Sequence, residues 1–242
     1  MLKAITFDFW QTLYADSEKN WQKRQAIRTK KCHAYLDSRG YTCELDDVSF
    51  GLDEAYNVVM TLWHQHQGVS VKQCMIRFAE VLEIQLEEAD LDQLVACLGA
   101  AFLEAPPIMI ANVKPVVSRL SENYALGIIS DSALTPGSFA RQLMDRDGIL
   151  QFFSAFTFSD ETEHTKPKGP QFHATLAQLN AEPAAAVHIG DIFRTDIVGA
   201  KNAGMKAIRF TGFNKSETND TLSDAVVDDY QQLETVIAEL SN

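Results

Sequence analysis

The sequence predicts a doubly wound α/β fold, in which helices cover both faces of a parallel sheet, together with an inserted all-helical segment. From about residue 106 onward, short apolar runs alternate with amphipathic helical stretches, as they do in parallel sheets. Residues 15–105 show helical periodicity and no obvious strand. Polar motifs directly follow several apolar runs, and parallel sheets place reactive groups at the carboxyl ends of their strands.

The first predicted strand spans residues 3–8, and four helices follow it before any further strand. Apolar residues with 3.6-residue spacing predict helices over 48–63, 71–82 and 90–102, and a less regular helix is predicted over 18–38. Ser70 and Gln73 are spaced as a capping box, and Asp90 is the expected N-cap of the fourth helix. Because one strand packed on helices has no hydrogen-bonding partner, the first strand must join the later sheet.

The pattern changes at Ala105-Pro106-Pro107, after which helices and strands alternate. The predicted strands are 125–129, 155–158, 186–190 and 206–210. The predicted helices are 115–122, 137–144, 170–179 and 195–203, followed by a last helix that carries Leu233 and Ile237. The helical segment is thus inserted directly after the first strand, where it can lie over the carboxyl edge of the sheet.

Composition narrows the possible partners. The chain has 242 residues, 46% of them hydrophobic, which suits one large domain or a core with an insert. A net charge of −12 argues against nucleic acid and anionic membranes as partners, since both attract clustered Lys and Arg. No apolar run approaches the roughly 20 residues of a membrane span. We expect a cytoplasmic protein with a small-molecule partner and reduced cysteines; the oligomeric state stays open.

Four short motifs follow predicted strands in a fixed order. They are Asp8-x3-Thr12, Ser130-Asp131, Lys166-Pro167 and Gly190-Asp191-x4-Asp196. This ordered set resembles the haloacid dehalogenase superfamily, which contains many phosphatases, and the inserted helices resemble the helical cap of that family. The resemblance covers nearly the whole chain. It implies a catalytic core formed by residues 1–14 and 106–242 and a cap formed by residues 15–105.

Asp8 is the expected nucleophile. It lies inside the apolar stretch Phe7–Trp10, where burying a charge costs free energy and therefore indicates a functional role. A carboxylate can attack phosphorus to form an aspartyl-phosphate. The resemblance implies that Thr12 and Ser130 donate hydrogen bonds to the transferring group and that Asp131 lies beside the substrate. Lys166 would hold Asp8 and an anionic substrate. Lys168 is the competing candidate, but the spacing of Lys166 to Phe172 fits the family better.

Asp8, Asp191 and Asp196 are expected in one crevice, and their charges would repel unless a cation neutralised them. Hard oxygen ligands favour Mg²⁺. By resemblance, the side chains of Asp8 and Asp191 and the backbone carbonyl of Trp10 coordinate this ion. Asp196 would be a nearby carboxylate that also orients Lys166. His188, within a predicted strand, is interpreted as a hydrogen-bonded core histidine.

Trp10 departs from the phosphatase pattern, which has a second Asp there as general acid and base. An indole cannot transfer that proton, so poor leaving groups should turn over slowly. His164, in the loop before Lys166, is the first substitute to consider. Dehalogenases of the family carry an aromatic residue at the position of Trp10, which opens the alternative of a metal-independent 2-haloacid dehalogenase.

A dehalogenase would need an arginine from the cap for the substrate carboxylate or halide. Arg24 and Arg28 lie one turn apart on the first cap helix and can reach one site. The competing interpretation is a solvated basic helix face shared with nearby lysines. Against the dehalogenase, Asp191 and Asp196 follow the phosphatase form of the last motif. A third hypothesis is a catalytically weak family member that acts as a binding or interaction protein.

Overall fold

The structure, a computed structural model, describes residues 1–162, 164–215 and 220–241. Its strands within these residues are β1 Ala4–Phe7, β2 Tyr14–Ala15, β3 Ile108–Met109, β4 Ala125–Ser130, β5 Ala155–Phe158, β6 Ala186–Gly190, β7 Lys206–Phe210 and β8 Ala225–Val227. Six of them form one sheet in the order β5-β4-β1-β6-β7-β8, and every pairing in it is parallel. The predicted α/β fold is therefore confirmed.

The first strand lies in the middle of this sheet, as predicted. β1 is hydrogen-bonded to β4 on one side and to β6 on the other, so that Phe7 lies opposite Ile128 and Ile189. All four residues of β1 are buried, because helices cover both faces of the sheet. Residues that directly follow β1, β4 and β6 consequently meet at one edge.

Apart from the short helix Ser159–Thr162, which was not predicted, the α-helices agree with the predicted ones to within a few residues. They are α1 Glu18–Ser38, α2 Leu45–His64, α3 Val71–Val81, α4 Glu88–Glu104, α5 Val113–Ser121, α6 Gly137–Arg146, α7 Ser159–Thr162, α8 Gly169–Gln178, α9 Val198–Asn202 and α10 Leu233–Ser241. A π-helical turn over Phe193–Ile197 precedes α9. None of the helices in the described residues has the length and apolar character needed to cross a membrane.

Helices α1 to α4 pack around an apolar cluster of their own. Leu52, Phe78 and Leu98 are buried in it, and Leu134, from the loop after β4, joins the same cluster. The predicted capping box of Ser70 and Gln73 is present at the start of α3. The helical segment therefore has its own interior and also contacts the loops at the carboxyl edge of the sheet.

Asp90 is not the N-cap of α4, contrary to the sequence prediction. Glu87 occupies that position, and Asp90 is the third helical residue, whose carboxylate accepts the Glu87 N–H at 3.2 Å. The same carboxylate accepts the Tyr35 hydroxyl at 2.6 Å and Arg39 Nε at 2.8 Å. A reciprocal capping box allows an acidic residue at either end of the spacing, so the sequence pattern alone did not decide between them.

A short antiparallel ribbon was not predicted. β2 pairs with β3 through Tyr14 opposite Met109 and Ala15 opposite Ile108, and so joins the two ends of the helical segment. Strands of two residues are too short to show an alternating pattern, and the same holds for the three-residue edge strand β8. The boundaries predicted for core and cap fall at this ribbon, and the division into two domains stays a prediction.

Candidate active site

Lys166 lies between two carboxylates at the carboxyl edge of the sheet. Its Nζ donates to Asp8 Oδ1 at 2.6 Å, to Asp196 Oδ1 at 2.6 Å and to the carbonyl of Ile129 at 3.1 Å. Asp8 follows β1, and Asp196 lies in the turn after β6. The structure thus brings together side chains that are up to 188 residues apart in the sequence.

Burial shapes the protonation of this cluster. It raises the pKa of Asp8 to about 6, a change that Lys166 opposes and the charge of Asp196 reinforces. Burial and repulsion from Asp196 and Asp8 raise the pKa of Asp191 to about 8. Asp196 is the exception, because Lys166 and His188 outweigh burial and hold its pKa well below the usual range. Lys166 keeps its proton, since the two carboxylates raise its pKa despite burial.

The residues present fit a divalent cation. Asp8, Asp191 and Asp196 are all buried, and each brings one carboxylate oxygen within 4.8 Å of the others. Among the described residues, the ammonium of Lys166 is the one lysine or arginine group paired with this cluster, and it contacts Asp8 and Asp196. A hard cation bound by oxygen ligands would remove the remaining repulsion, and Mg²⁺ prefers such donors.

Two further polar residues, neither of them predicted as a site residue, support the carboxylates. His188 is fully buried, as interpreted, and its ring nitrogens contact Thr6 Oγ1 at 2.9 Å and Asp196 Oδ1 at 3.2 Å. Asn214 donates its side-chain amide to Asp191 Oδ2 at 2.9 Å. His188 lies two residues before Gly190 on β6, a position that could have indicated it, whereas nothing in the sequence pattern indicated Asn214.

A cavity of about 280 Å³ opens beside the carboxylates, between α1, α2 and the carboxyl edge of the sheet. Asp8, Lys166, Asp191 and Asp196 line one part of it. Another part is aromatic and apolar, and its side chains are Trp10, Trp21, Tyr56, Val59, Met60 and Trp63. Most of this wall comes from the helical segment, so that segment supplies the surface that a substrate would contact beyond the reacting group.

Arg24 and Arg28 both line the cavity and are only 2% and 3% exposed. The interpretation of these two residues as a solvated basic face is therefore wrong, because that face of α1 packs against the core. Arg24 Nη1 donates to Asp16 Oδ2 at 2.8 Å, and its Nε donates to the carbonyl of Ala105. Arg28 bonds instead to Gln25, Leu134 and Thr135.

The remaining predicted residues differ in their access to the cavity. Asp131 lines it and accepts Trp63 Nε1–H at 2.8 Å and the backbone N–H of Lys166 at 3.0 Å. Thr12 and Ser130 are buried and are not among the residues that line the cavity, and their hydroxyls have no hydrogen-bond partner in the part of the chain that the structure describes. Their role as donors to a phosphoryl group stays a prediction.

Lys168 and His164 are exposed and do not line the cavity. Lys166 is therefore the lysine of this site. His164 lies outside the cavity that the described residues enclose, so it is not placed to replace the missing general acid.

Comparison with known proteins agrees with this geometry. A family model described as haloacid dehalogenase-like hydrolase matches residues 2–204. The chain belongs to the haloacid dehalogenase-like hydrolases. Membership of this family identifies it as a hydrolase, and its curated relatives are phosphatases.

Two of these curated relatives are glyceraldehyde 3-phosphate phosphatases. The one from Methanopyrus kandleri is 26% identical over all of this chain and 99% of its own length. The one from Methanothermobacter thermautotrophicus is 33% identical, but the match covers 50% of this chain and 55% of that protein. The chain thus spans about half of the length of the second relative.

Solved structures of family members share the fold. A 2-haloacid dehalogenase from Pseudomonas syringae pv. tomato DC3000 matches with a TM-score of 0.71 over 99% of both chains, at 22% identity. A HAD phosphatase from Thermococcus onnurineus matches with a TM-score of 0.65 over 98% of both chains, at 18% identity. At these identities the likeness concerns the fold, and the two proteins are named for different reactions.

Replacing Lys166 should destabilise this haloacid dehalogenase-like hydrolase and abolish its turnover. Lys166→Met leaves Asp8 and Asp196 buried without their shared counter-charge, and loss of one member of a buried ionic network typically costs about 3–5 kcal/mol. Lys168→Met is the matched control, and as an exposed substitution it should change the unfolding free energy by less than about 0.5 kcal/mol. Chemical denaturation of both variants measures this difference. Equal losses of unfolding free energy in the two variants would show that Lys166 is not the counter-charge of the buried carboxylates.

Proposed function

We propose that this protein is a Mg²⁺-dependent phosphatase that hydrolyses a small phosphorylated metabolite through Asp8. The observation that carries the proposal is the buried surplus of carboxylates around Lys166, since three carboxylates share one ammonium next to the cavity. The phosphatase names of the curated relatives support the same reaction class.

The residues around Asp8 suggest how it would act. Lys166 holds Asp8 Oδ1, so Oδ2 is the oxygen left to attack phosphorus. The attack transfers the phosphoryl group to Asp8 and breaks the ester bond, and water then attacks phosphorus to release phosphate and restore the carboxylate. Bound Mg²⁺ would supply charge neutralisation for the phosphoryl oxygens. Asp8 and Asp191 would hold the ion together with the carbonyl of Trp10, beside Asp196.

The other predicted residues have roles in binding. Thr12 and Ser130 would donate their unpartnered hydroxyls to the phosphoryl oxygens. Asp131 would fix the cavity wall through Trp63 and the Lys166 backbone.

Metal-independent 2-haloacid dehalogenation is the second candidate. One observation favours it, because Arg24 of the helical segment lines the cavity together with Arg28, as that reaction requires. The buried pair Asp191 and Asp196 opposes it, since negative charge beside an anionic substrate gives no advantage to metal-free chemistry. A third candidate, a catalytically weak binding protein, is opposed by the cost of keeping buried charges that such a protein would not use.

Asp8→Asn should abolish phosphate release while the protein remains folded, because the amide is a far weaker nucleophile of nearly the same shape. The assay covers phosphorylated metabolites and p-nitrophenyl phosphate with Mg²⁺ or with excess EDTA. It also tests halide release from 2-chloropropionate under both conditions. Halide release in EDTA without any phosphate release would establish the dehalogenase instead, and full phosphatase activity in the Asn variant would refute Asp8 as nucleophile.

The Mg²⁺ requirement should fall as the pH rises. Asp191 has a raised pKa of about 8, so below that pH it carries a proton that must leave before the carboxylate can bind a cation. We expect the Mg²⁺ concentration for half-maximal activity to increase up to about tenfold for each unit below pH 8 and to level off above it. Thermal unfolding with added Mg²⁺ should show the same trend. Asp191→Asn removes the titrating group. If the half-maximal Mg²⁺ concentration of this variant still depended on pH as in the wild type, Asp191 would not be the group responsible.

Trp10 should make turnover depend steeply on the leaving group. Its indole lines the cavity and packs edge-on against Phe102 at 5.8 Å, so it provides a wall and no proton. Aryl phosphates, whose leaving groups need no proton, should be cleaved faster than alkyl phosphates. Trp10→Asp should selectively accelerate the alkyl esters, by less than the ~10²–10⁴-fold of general acid catalysis because the side chain leaves a gap. Equal rates for both classes in the wild type, with chemistry rate-limiting, would reveal another acid.

A further inference from the structure

Arg28 differs from Arg24 in what balances its charge. Arg24 forms an ion pair with Asp16 at 2.8 Å. The three hydrogen-bond partners of Arg28 are all neutral: Gln25 Oε1 at 2.7 Å, the Leu134 carbonyl at 3.1 Å and Thr135 Oγ1 at 2.9 Å. Across the described ranges no carboxylate lies within ion-pair distance of it, and its buried Nε has no partner.

A buried guanidinium without a counter-ion is costly, because burial disfavours the charged form. Burial and the neighbouring Arg24 lower the pKa of Arg28 to about 9, which still leaves it charged at neutral pH. The neutral partners bond to both Nη atoms, with two contacts on Nη2 and one on Nη1, so that one N–H of Nη1 remains beside the buried Nε. A carboxylate of the bound substrate would supply the missing charge and accept this remaining Nη1 N–H.

Aromatic side chains line the cavity next to Arg28. Trp10, Trp21, Tyr56 and Trp63 line it, and Trp63 is fixed from two sides. The indole of Trp63 donates to Asp131, and the guanidinium of Arg194 lies 4.2 Å from the ring centre. A volume of about 280 Å³ is close to the lower end of ligand pockets, so it suits a single ring.

The missing proton donor at Trp10 also favours an aromatic leaving group. With an indole at the position of the general acid, the departing oxygen must leave without a proton, which a phenol-type oxygen does far more readily than an alkyl one. An aromatic leaving group therefore satisfies two independent features of the site, its missing proton donor and its aromatic wall.

We propose that the substrate is the phosphate monoester of a carboxylated aromatic alcohol, with its ring between the aromatic side chains and its carboxylate on Arg28. The inference rests on the proposed phosphatase function and specifies its substrate class. In the reaction, the bond between Asp8 Oδ2 and phosphorus forms and the aryl P–O bond breaks. The electron pair leaves with the phenolate, which takes a proton from water.

The test compares two aryl phosphates whose phenols have nearly the same acidity, 4-(carboxymethyl)phenyl phosphate and 4-ethylphenyl phosphate. They differ in the carboxylate that Arg28 would bind. We expect the wild-type kcat/KM to be roughly 10- to 100-fold higher for the carboxylated ester, the range of one charge-assisted hydrogen-bonded contact. The products should follow the same order as inhibitors, with 4-hydroxyphenylacetate stronger than 4-ethylphenol.

Substitutions on α1 form a matched set. Arg28→Met should bring the ratio of the two kcat/KM values close to one, and Arg28→Lys should keep part of it because the charge remains. Lys30→Met removes an exposed positive charge from the same helix and should leave the ratio unchanged. Product inhibition of the wild type gives a second measurement if Arg28→Met does not fold.

The outcomes separate the inference from the function on which it rests. Equal wild-type kcat/KM values for the two esters, or a ratio that survives in Arg28→Met, would overturn the role of Arg28 while phosphatase activity stands. A preference for alkyl phosphates over both esters would overturn the aromatic substrate class. Absence of hydrolysis for both esters, for p-nitrophenyl phosphate and for the phosphorylated metabolites with Mg²⁺ would refute the proposed function and the inference with it.

Discussion

The ammonium of Lys166, held between Asp8 and Asp196, is the interaction on which the rest of the site depends. It joins the end of the central strand β1 to the turn that follows β6, and both carboxylates lie within 2.6 Å of the same nitrogen. Such a network is costly to bury and becomes favourable only when its charges and hydrogen bonds are satisfied together. Among the described residues this geometry leaves the second oxygen of Asp8 without a hydrogen-bond partner, and this is the oxygen that a nucleophile needs.

The charge balance of this network favours a phosphatase over a dehalogenase. Asp191 adds a third carboxylate that Lys166 does not neutralise, and its raised pKa reflects that imbalance. A divalent cation would restore the balance and would also attract a phosphate ester. A metal-free dehalogenase would have to keep this negative charge beside an anionic substrate. The charges around Lys166 therefore separate two reactions that the shared fold does not distinguish.

The helical segment contributes the part of the cavity that would select a substrate. Its aromatic side chains face the same space as Trp10, and Arg28 brings a positive charge that has no carboxylate within ion-pair distance among the described residues. In a family in which the same core serves different reactions, an inserted segment can change the substrate without disturbing the nucleophile. Trp10 links both parts, because it follows Asp8 by two residues and packs against Phe102 of α4.

The sequence by itself determined the fold class, the long helices, five strands of the parallel sheet and the four motifs, because periodicity and strand-end motifs are local properties of the chain. It also indicated Lys166 rather than Lys168. Only the tertiary structure decided that Arg24 and Arg28 are buried cavity residues, that Asn214 supports Asp191, and that β2 pairs with β3. Burial, ion pairing and the closure of a cavity depend on contacts between residues that are distant in the sequence, and neither helical period nor motif spacing encodes those contacts.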